Sequence, residues 1–411
     1  MHVVDTLIVG GGLAGLSLAE SLANSKHADN DILVLERYAP WGGRVATYRD
    51  KARGFQYEIG AGRIFHAHKR VGALVERFGL HTFPINTEQT FNGHVNPFQP
   101  LFEPVRQLLE SIPQEQLQLH TIEELVPKEL REVFQYYPYW AEIHMLRADL
   151  ALPLFAPKAT MGAHSTTKAD YYGVVEGLDS ITTHLKESAE KAGAVLKHRY
   201  KVTDIRRIAD DLFEITGLKG KKAVAKPFKY HARRVIVATC RCEWDDFTVL
   251  KDMPFLKQLS TSALLRIYAV YPTPWFDDIK MVTNNPIRYI IPIQKEKGLV
   301  MISYTDGKDT EHWRALEGKA LEDELQAQLH IIFPDRTIPN PTYLQKHDWK
   351  GGCTYWLPGD YDPKDASKFA QNPSTNVYVC GESVSMTQTW MEGALESSEY
   401  VAHLIKNQTP K

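Results

Sequence analysis

The first apolar run, VVDTLIV at residues 3–9, is short and β-branched and runs straight into Gly10, Gly11 and Gly12. A buried parallel strand that ends in a tight turn has this form. Small and apolar residues then recur at helical spacing in LAGLSLAESLA, and DILVLE at 31–36 reads as a second strand. Together they predict a β-turn-α-β unit at the start of the chain. Between 70 and 150 the pattern changes: VGALVERFGL, EPVRQLLESI, IEELVPKELREVF and YYPYWAEIHMLRADLAL carry helical periodicity, with prolines between them. This stretch is expected to form a helical lobe inserted into the first domain. From 171, YYGVVEGLDSITTHLKESAEKAG predicts a strand and a helix, and LKHRYKVTDIRRI and RRVIVATC predict strands, so the chain returns to α/β. The segments LLRIYAVY, RYIIPI and LVMISY predict a further sheet across 262–304, and a last strand, NVYVCGE, precedes the helix WMEGALESSEYVAHLI.

Composition narrows the class of function. The 411 residues are 43% hydrophobic and 24% charged, enough for two packed units. A net charge of −2 gives no electrostatic reason to expect nucleic acid or an anionic membrane as partner, and points to a small-molecule task. The four cysteines, Cys240, Cys242, Cys353 and Cys380, form no C-x-x-C pair or short framework, which fits a reducing compartment. No apolar run reaches the roughly 18 residues of a membrane-spanning helix. The first strand begins too early to leave room for a leader, so a cytoplasmic protein is expected. His66, His68 and the Cys240/Cys242 pair lack a second cluster at ligand spacing, so no metal is expected. Oligomeric state stays open.

Candidate chemistry begins at the first turn. Gly10, Gly12 and Gly15 form G-x-G-x-x-G between the first strand and the helix, with Leu13 and Ala14 at the helix start. Gly10 permits the turn, Gly12 lets backbone approach a pyrophosphate, and Gly15 lets helix and strand pack closely. Glu36 ends the second strand, where a carboxylate accepts hydrogen bonds from ribose hydroxyls, and Arg37 follows it. These residues leave NAD and FAD both open. The continuation LERYAPWGGRVATYR resembles the extended FAD fingerprint: Gly42 and Gly43 allow close approach, and Arg44 can neutralise pyrophosphate charge.

With these residues the chain resembles the flavin amine oxidase superfamily of monoamine, polyamine and L-amino acid oxidases. The C-terminal VYVCGES and TWMEGALESSEYVA resemble that family's closing segment. The resemblance implies that Gly381 and Glu382 contact FAD, that Trp390, Met391 and Ala394 lie near the flavin ring, and that the backbone of Val202 meets the adenine. The implied fold is α/β. A discontinuous Rossmann-type FAD-binding domain would cover 1–70, 171–243 and 370–411; a mixed α+β substrate-binding domain with the helical lobe would cover 71–170 and 244–369. The implied chemistry is oxidation of a C–N bond by hydride transfer to flavin, hydrolysis of the imine, and return of electrons to dioxygen as hydrogen peroxide.

Substrate class rests on fewer residues. In YEIGAGRIF, the stretch Gly60, Ala61, Gly62, Arg63 resembles the segment that places an arginine at the flavin face of L-amino acid oxidases. Arg63 is therefore a candidate anchor for a substrate carboxylate, with binding to a flavin phosphate or to Glu58 as alternatives. HDWKGGCTYWLPG resembles a second pocket wall, in which Cys353 is either a covalent flavin attachment site or a buried thiol. Trp390 takes one aromatic-wall position; the other falls on Thr354, leaving Trp349, Tyr355 or Trp356 as substitutes. In TSALLRIYAVY, Arg266 stands where the family places a lysine thought to assist oxygen activation. An arginine keeps the charge but does not give up its proton. The leading expectation is deamination of an L-amino acid or related primary amine. The rivals are a monoamine or polyamine oxidase without carboxylate recognition, a flavin-binding protein or dehydrogenase with little oxidase activity, and a flavin desaturase.

Overall fold

The computed structural model describes residues 3–25, 31–156 and 170–407. Residues 157–169, part of the expected substrate unit, and the last four residues of the expected cofactor unit lie outside them. The strand Val3–Val9 sits between Ile32–Glu36 and the long strand Lys226–Val237, parallel to both. Val195–His198 extends this sheet on one side, and Val377–Val379 pairs with the C-terminal half of Lys226–Val237, both again parallel. Strands covered on both faces must be apolar throughout, and all five residues of Ile32–Glu36 are buried. The helices Leu13–Ala23 and Met391–Lys406 pack on one face through a cluster holding Leu18, Leu22, Val401 and Ile405. The expected β-turn-α-β unit and closing strand and helix are all present.

The N-terminal half of Lys226–Val237 turns antiparallel, pairing with Leu212–Lys219, which pairs in turn with Tyr200–Ala209. The middle strand of this meander was not read as a strand, because Glu214, Thr216 and the exposed Lys219 leave it without a continuous apolar run.

A second sheet runs in the order Tyr343–Trp356, Leu259–Val270, Leu299–Asp306, Tyr289–Gln294, Lys280–Val282, Gln89–Phe91, His94–Val95. Three of its strands match the expected alternation across 262–304. The edge strand Tyr343–Trp356 was not expected as a strand, because its Gly351 and Gly352 interrupt the pattern. The helix Gly318–Ile332 covers one face, placing Leu321, Leu325 and Leu329 against Ile267, Val300 and Ile302.

The lobe departs most from expectation. Lys69–Arg77 and Phe98–Glu110 are helices, but the two longer predicted stretches break into Ile122–Leu125, the 3-10 segment Lys128–Tyr136, Trp140–His144 and Ala148–Ala151. Pro127 and Pro138 withhold the amides a continuous helix needs. Short strands intervene: Thr82–Pro84 joins Tyr171–Val174, which also pairs with Ile64–Phe65 in a separate small sheet.

A side chain on Gly15 would place its Cβ 2.0 Å from the Gly10 carbonyl oxygen, so helix and turn approach each other at a distance only glycine permits. Gly15→Ala is expected to cost about 1–3 kcal/mol of stability, read as a lower thermal midpoint. By contrast, Gly72→Ala, inside the helix Lys69–Arg77 and meeting nothing closer than 3.5 Å, should be neutral or stabilising. Equal midpoints for the two variants would contradict this packing.

Candidate active site

A continuous cavity of about 1760 Å³ lies among these elements. Ordinary small-molecule pockets hold roughly 300–1,000 Å³, so the space suits a dinucleotide together with a substrate. Apart from Gly15, which packs behind the turn, and Thr354, which is buried against Glu382, every residue singled out above for cofactor or substrate borders this one cavity.

At one end the helix Leu13–Ala23 begins at Gly12 with no side-chain cap and no acidic residue in its first turn, leaving its amides and the positive end of its dipole for a phosphate. The Glu36 carboxylate accepts from the amides of Gly11 at 2.8 Å and Tyr38 at 2.7 Å, which orients it and leaves acceptor sites for ribose hydroxyls. Burial raises its pKa. Arg37 pairs with Glu243. Two further features fit a cofactor: a Cβ on Gly381 would meet nothing within 4 Å, and the buried Thr239 hydroxyl has no protein partner among the described residues.

Arg44 joins the two chain ends in mid-cavity. Its Nη1 donates to Glu382 Oε1 at 2.5 Å and to the Gly352 carbonyl at 3.1 Å. Glu382 also accepts from the Thr354 hydroxyl at 3.0 Å and the Thr389 amide at 3.0 Å. Thus Glu382 is occupied by protein donors, while both Arg44 bonds leave from one nitrogen.

Arg63 lies at the other end. Its guanidinium carbon is 4.7 Å from the Tyr171 ring centre and 5.6 Å from that of Trp390, and Nη2 reaches the Tyr139 hydroxyl at 3.5 Å. Glu58 is not its partner: that carboxylate accepts from the Thr47 hydroxyl and the Leu178 amide, both at 2.8 Å. Arg266, 7% exposed, donates to the Glu58 carbonyl at 3.0 Å and stacks on Tyr304 at 5.0 Å. Its strand neighbour His347 is pushed down to about 4 by burial and by the Arg266 charge, so the imidazole is neutral. Burial drives the Cys353 thiol well above its ordinary range, which disfavours the thiolate. Along the same strand Tyr355 faces the lobe core, whereas Trp356 is fully buried and donates to the Ser385 carbonyl at 3.1 Å. Trp349 donates to the Ile59 carbonyl at 2.5 Å.

Several cavity residues escaped the sequence reading: Tyr139, Glu142, Lys280, Tyr304 and Asp306. The available signal was a charged residue inside an apolar strand, as in IKMV around Lys280 and ISYTD before Asp306. Asp306 caps the helix Trp140–His144, accepting from the amides of Trp140 at 2.7 Å and Ala141 at 2.9 Å. Burial raises it to about 7, and raises Glu142, which accepts from Tyr137, to about 7 as well. His68 packs edge-on against Trp390. Cys240 and Cys242 sit 2.8 Å apart beside Gly351. Among the described residues, no group of three or more His, Cys, Asp or Glu is placed to hold a metal. No helix among them is long and apolar enough to cross a membrane.

The chain belongs to the flavin-containing amine oxidoreductase family, matching it over residues 13–406. Membership implies a flavin cofactor. An L-amino acid oxidase of Cerastes cerastes is 23% identical, the match covering 95% of this chain and 84% of that protein. Flavin-containing amine oxidase A of Equus caballus is 34% identical, but over only 25% of this chain and 20% of its own. Among solved structures, putrescine oxidase bound to putrescine superposes with a TM-score of 0.75 at 15% identity, covering 99% of this chain and all of that one, which shows a shared fold.

In the fold Glu142 keeps its proton from the ordinary 4.5 up to about 7, so its contribution to stability is present at low pH and lost as pH rises through about 7. Glu142→Gln removes that dependence. Its thermal midpoint relative to the unmodified protein should therefore become more favourable between pH 5 and pH 8; a constant difference would contradict the burial of an ionisable carboxyl here.

Proposed function

We propose that the protein is an FAD-dependent oxidase that deaminates an L-amino acid, with 1–70, 171–243 and 370–411 as the cofactor-binding unit and 71–170 and 244–369 as the substrate unit. The observation that carries this reading is Arg63: a cation on the cavity wall, held by aromatic faces and a tyrosine hydroxyl and ion-paired to no carboxylate among the described residues, the nearby Glu142 being bonded to Tyr137 and raised to about 7, can take one from a ligand. FAD bound along Gly10–Gly15, Glu36, Arg44 and Gly381 would supply the hydride acceptor for the carbon beside the amine, with dioxygen as the final oxidant. Arg63 would orient the substrate through its carboxylate, and Trp390 would wall the site, backed by the buried, parallel ring of Tyr171 6.0 Å away. Arg266 would hold positive charge near the flavin without exchanging a proton. Long coverage of L-amino acid oxidases supports the choice.

A second reading, a monoamine or polyamine oxidase, is favoured by the cavity carboxyls Glu142 and Asp306, which could receive an amine. A peroxide-coupled screen of L-amino acids against mono- and diamines decides between them. Arg63→Ala should raise KM for amino acids by about 10- to 100-fold, the worth of a charge-assisted hydrogen bond, and leave amine oxidation nearly unchanged. An equal effect on both classes would refute the carboxylate anchor. Substrate-dependent bleaching of the flavin without peroxide would instead indicate a dehydrogenase.

The neutral Cys353 thiol gives a separate expectation. Acid precipitation of the yellow protein should release the flavin into the supernatant; colour retained in the pellet would show attachment at Cys353.

A further inference from the structure

The cavity contains a second cation without a counter-charge. Lys280, on the strand Lys280–Val282, is 6% exposed and borders the same space as Arg63. Among the described residues its amine makes no ion pair, and burial followed by the Arg63 charge pushes its pKa down to about 7 with no carboxylate acting to raise it, so without an anion the group is only partly protonated near neutral pH. Burying an ammonium this deeply is unfavourable unless an anion meets it, and a neighbouring guanidinium makes the position worse. None of the nearby cavity acids acts as its counter-ion: Asp278, two residues before it, is exposed, and neither Glu142 nor Asp306 acts on its charge. Both Asp306 oxygens accept backbone amides, and Glu142, bonded to Tyr137, is raised into the neutral range by burial. Arg44 has Glu382, and Arg266 has a carbonyl and a ring. Of the other basic groups on the cavity, Lys346 pairs with Glu317 and Lys201 and Lys350 are exposed to water, so with Arg266 kept for the flavin face, Arg63 and Lys280 are the two assigned to a ligand.

The geometry points to a substrate with two anionic groups: an acidic L-amino acid whose α-carboxylate pairs with Arg63 and whose side-chain carboxylate pairs with Lys280. This rests on the amino acid oxidase reading and adds to it a side-chain class and the residue that selects it. It also accounts for the placement of Lys280, since a ligand carboxylate would supply the missing counter-charge and hold the ammonium protonated. Lys280 acts by binding; no bond is made or broken at it.

Binding can be read without turnover. Succinate and glutarate, which have no amine to oxidise, are titrated into the FAD-loaded protein beside butyrate and pentanoate, following the flavin absorbance. The dicarboxylates are expected to bind about 10- to 100-fold more tightly than monocarboxylates of equal length. Lys280→Met should abolish that preference and Lys280→Arg should keep most of it. In turnover, kcat/KM for glutamate or aspartate should exceed that for norvaline by a similar factor, and Lys280→Met should collapse the ratio. If norvaline is oxidised as well as glutamate, or the ratio survives Lys280→Met, the assignment of Lys280 is overturned while amino acid oxidation stands. If no carboxylate binds and only amines are oxidised, the Arg63 reading falls and this one falls with it. The carboxylate series on the unmodified protein needs no variant, so a misfolded Lys280→Met would not protect the proposal.

Discussion

The ion pair between Arg44 and Glu382 joins residues 338 positions apart in the chain. It fixes the loop after Ile32–Glu36 against the segment after Val377–Val379, and through the Gly352 carbonyl it ties both to the second sheet. Glu382 in turn accepts from Thr354 and Thr389, so one carboxylate positions the edge strand and the approach to the last helix. Removing either partner would leave a charge stranded in a poorly solvated site, which costs more than the pair contributes when intact. The cavity therefore has a charged pair between its two ends, the glycine-turn end proposed to bind phosphate and the aromatic end proposed to take the substrate.

The phosphate end was legible in the sequence because its geometry is local. Strand, glycine turn and helix occupy consecutive residues, and the close contact of Gly15 with Gly10 can be met by only one residue type. The closing strand and helix were legible for the same reason. The substrate end was not, because it is assembled from distant elements: Tyr139 from the lobe, Lys280 from a three-residue strand, Tyr304 and Asp306 from the strand Leu299–Asp306. Their local signal is slight, a charge within an apolar strand at Lys280 and Asp306 and none at Tyr139 or Tyr304, and each becomes notable only when the fold sets a charge or hydroxyl on a cavity. Arg63 stood between these cases, its position readable from a short resemblance and its lack of a carboxylate partner only from the fold.

The lobe failed for a different reason. Helical periodicity in 122–152 was genuine, and Ile122, Val126, Ile143 and Ala148 are buried, but Pro127 and Pro138 divide the stretch into short segments, among them a 3-10 run at Lys128–Tyr136. A repeating apolar face records which side is buried, not how long the helix is. Glu392 shows a related economy: the carboxylate near the start of Met391–Lys406 accepts the amides of Arg70 and Val71, so one helix end caps another.

The strand Tyr343–Trp356 carries the site on an alternating backbone. Cys353 and Tyr355 turn toward the lobe, while Thr354 and Trp356 turn toward Glu382 and Ser385. Its pairing with Leu259–Val270 slips between Trp349 and Cys353, which places Gly351 and Gly352 within the irregularity. Loss or gain of one residue beyond that point would exchange the two faces, setting a hydroxyl and an indole on the lobe side and stripping Glu382 of a donor. Divergence along this wall should therefore proceed by substitution at fixed length, with insertions and deletions confined to the loops beyond either end of the strand.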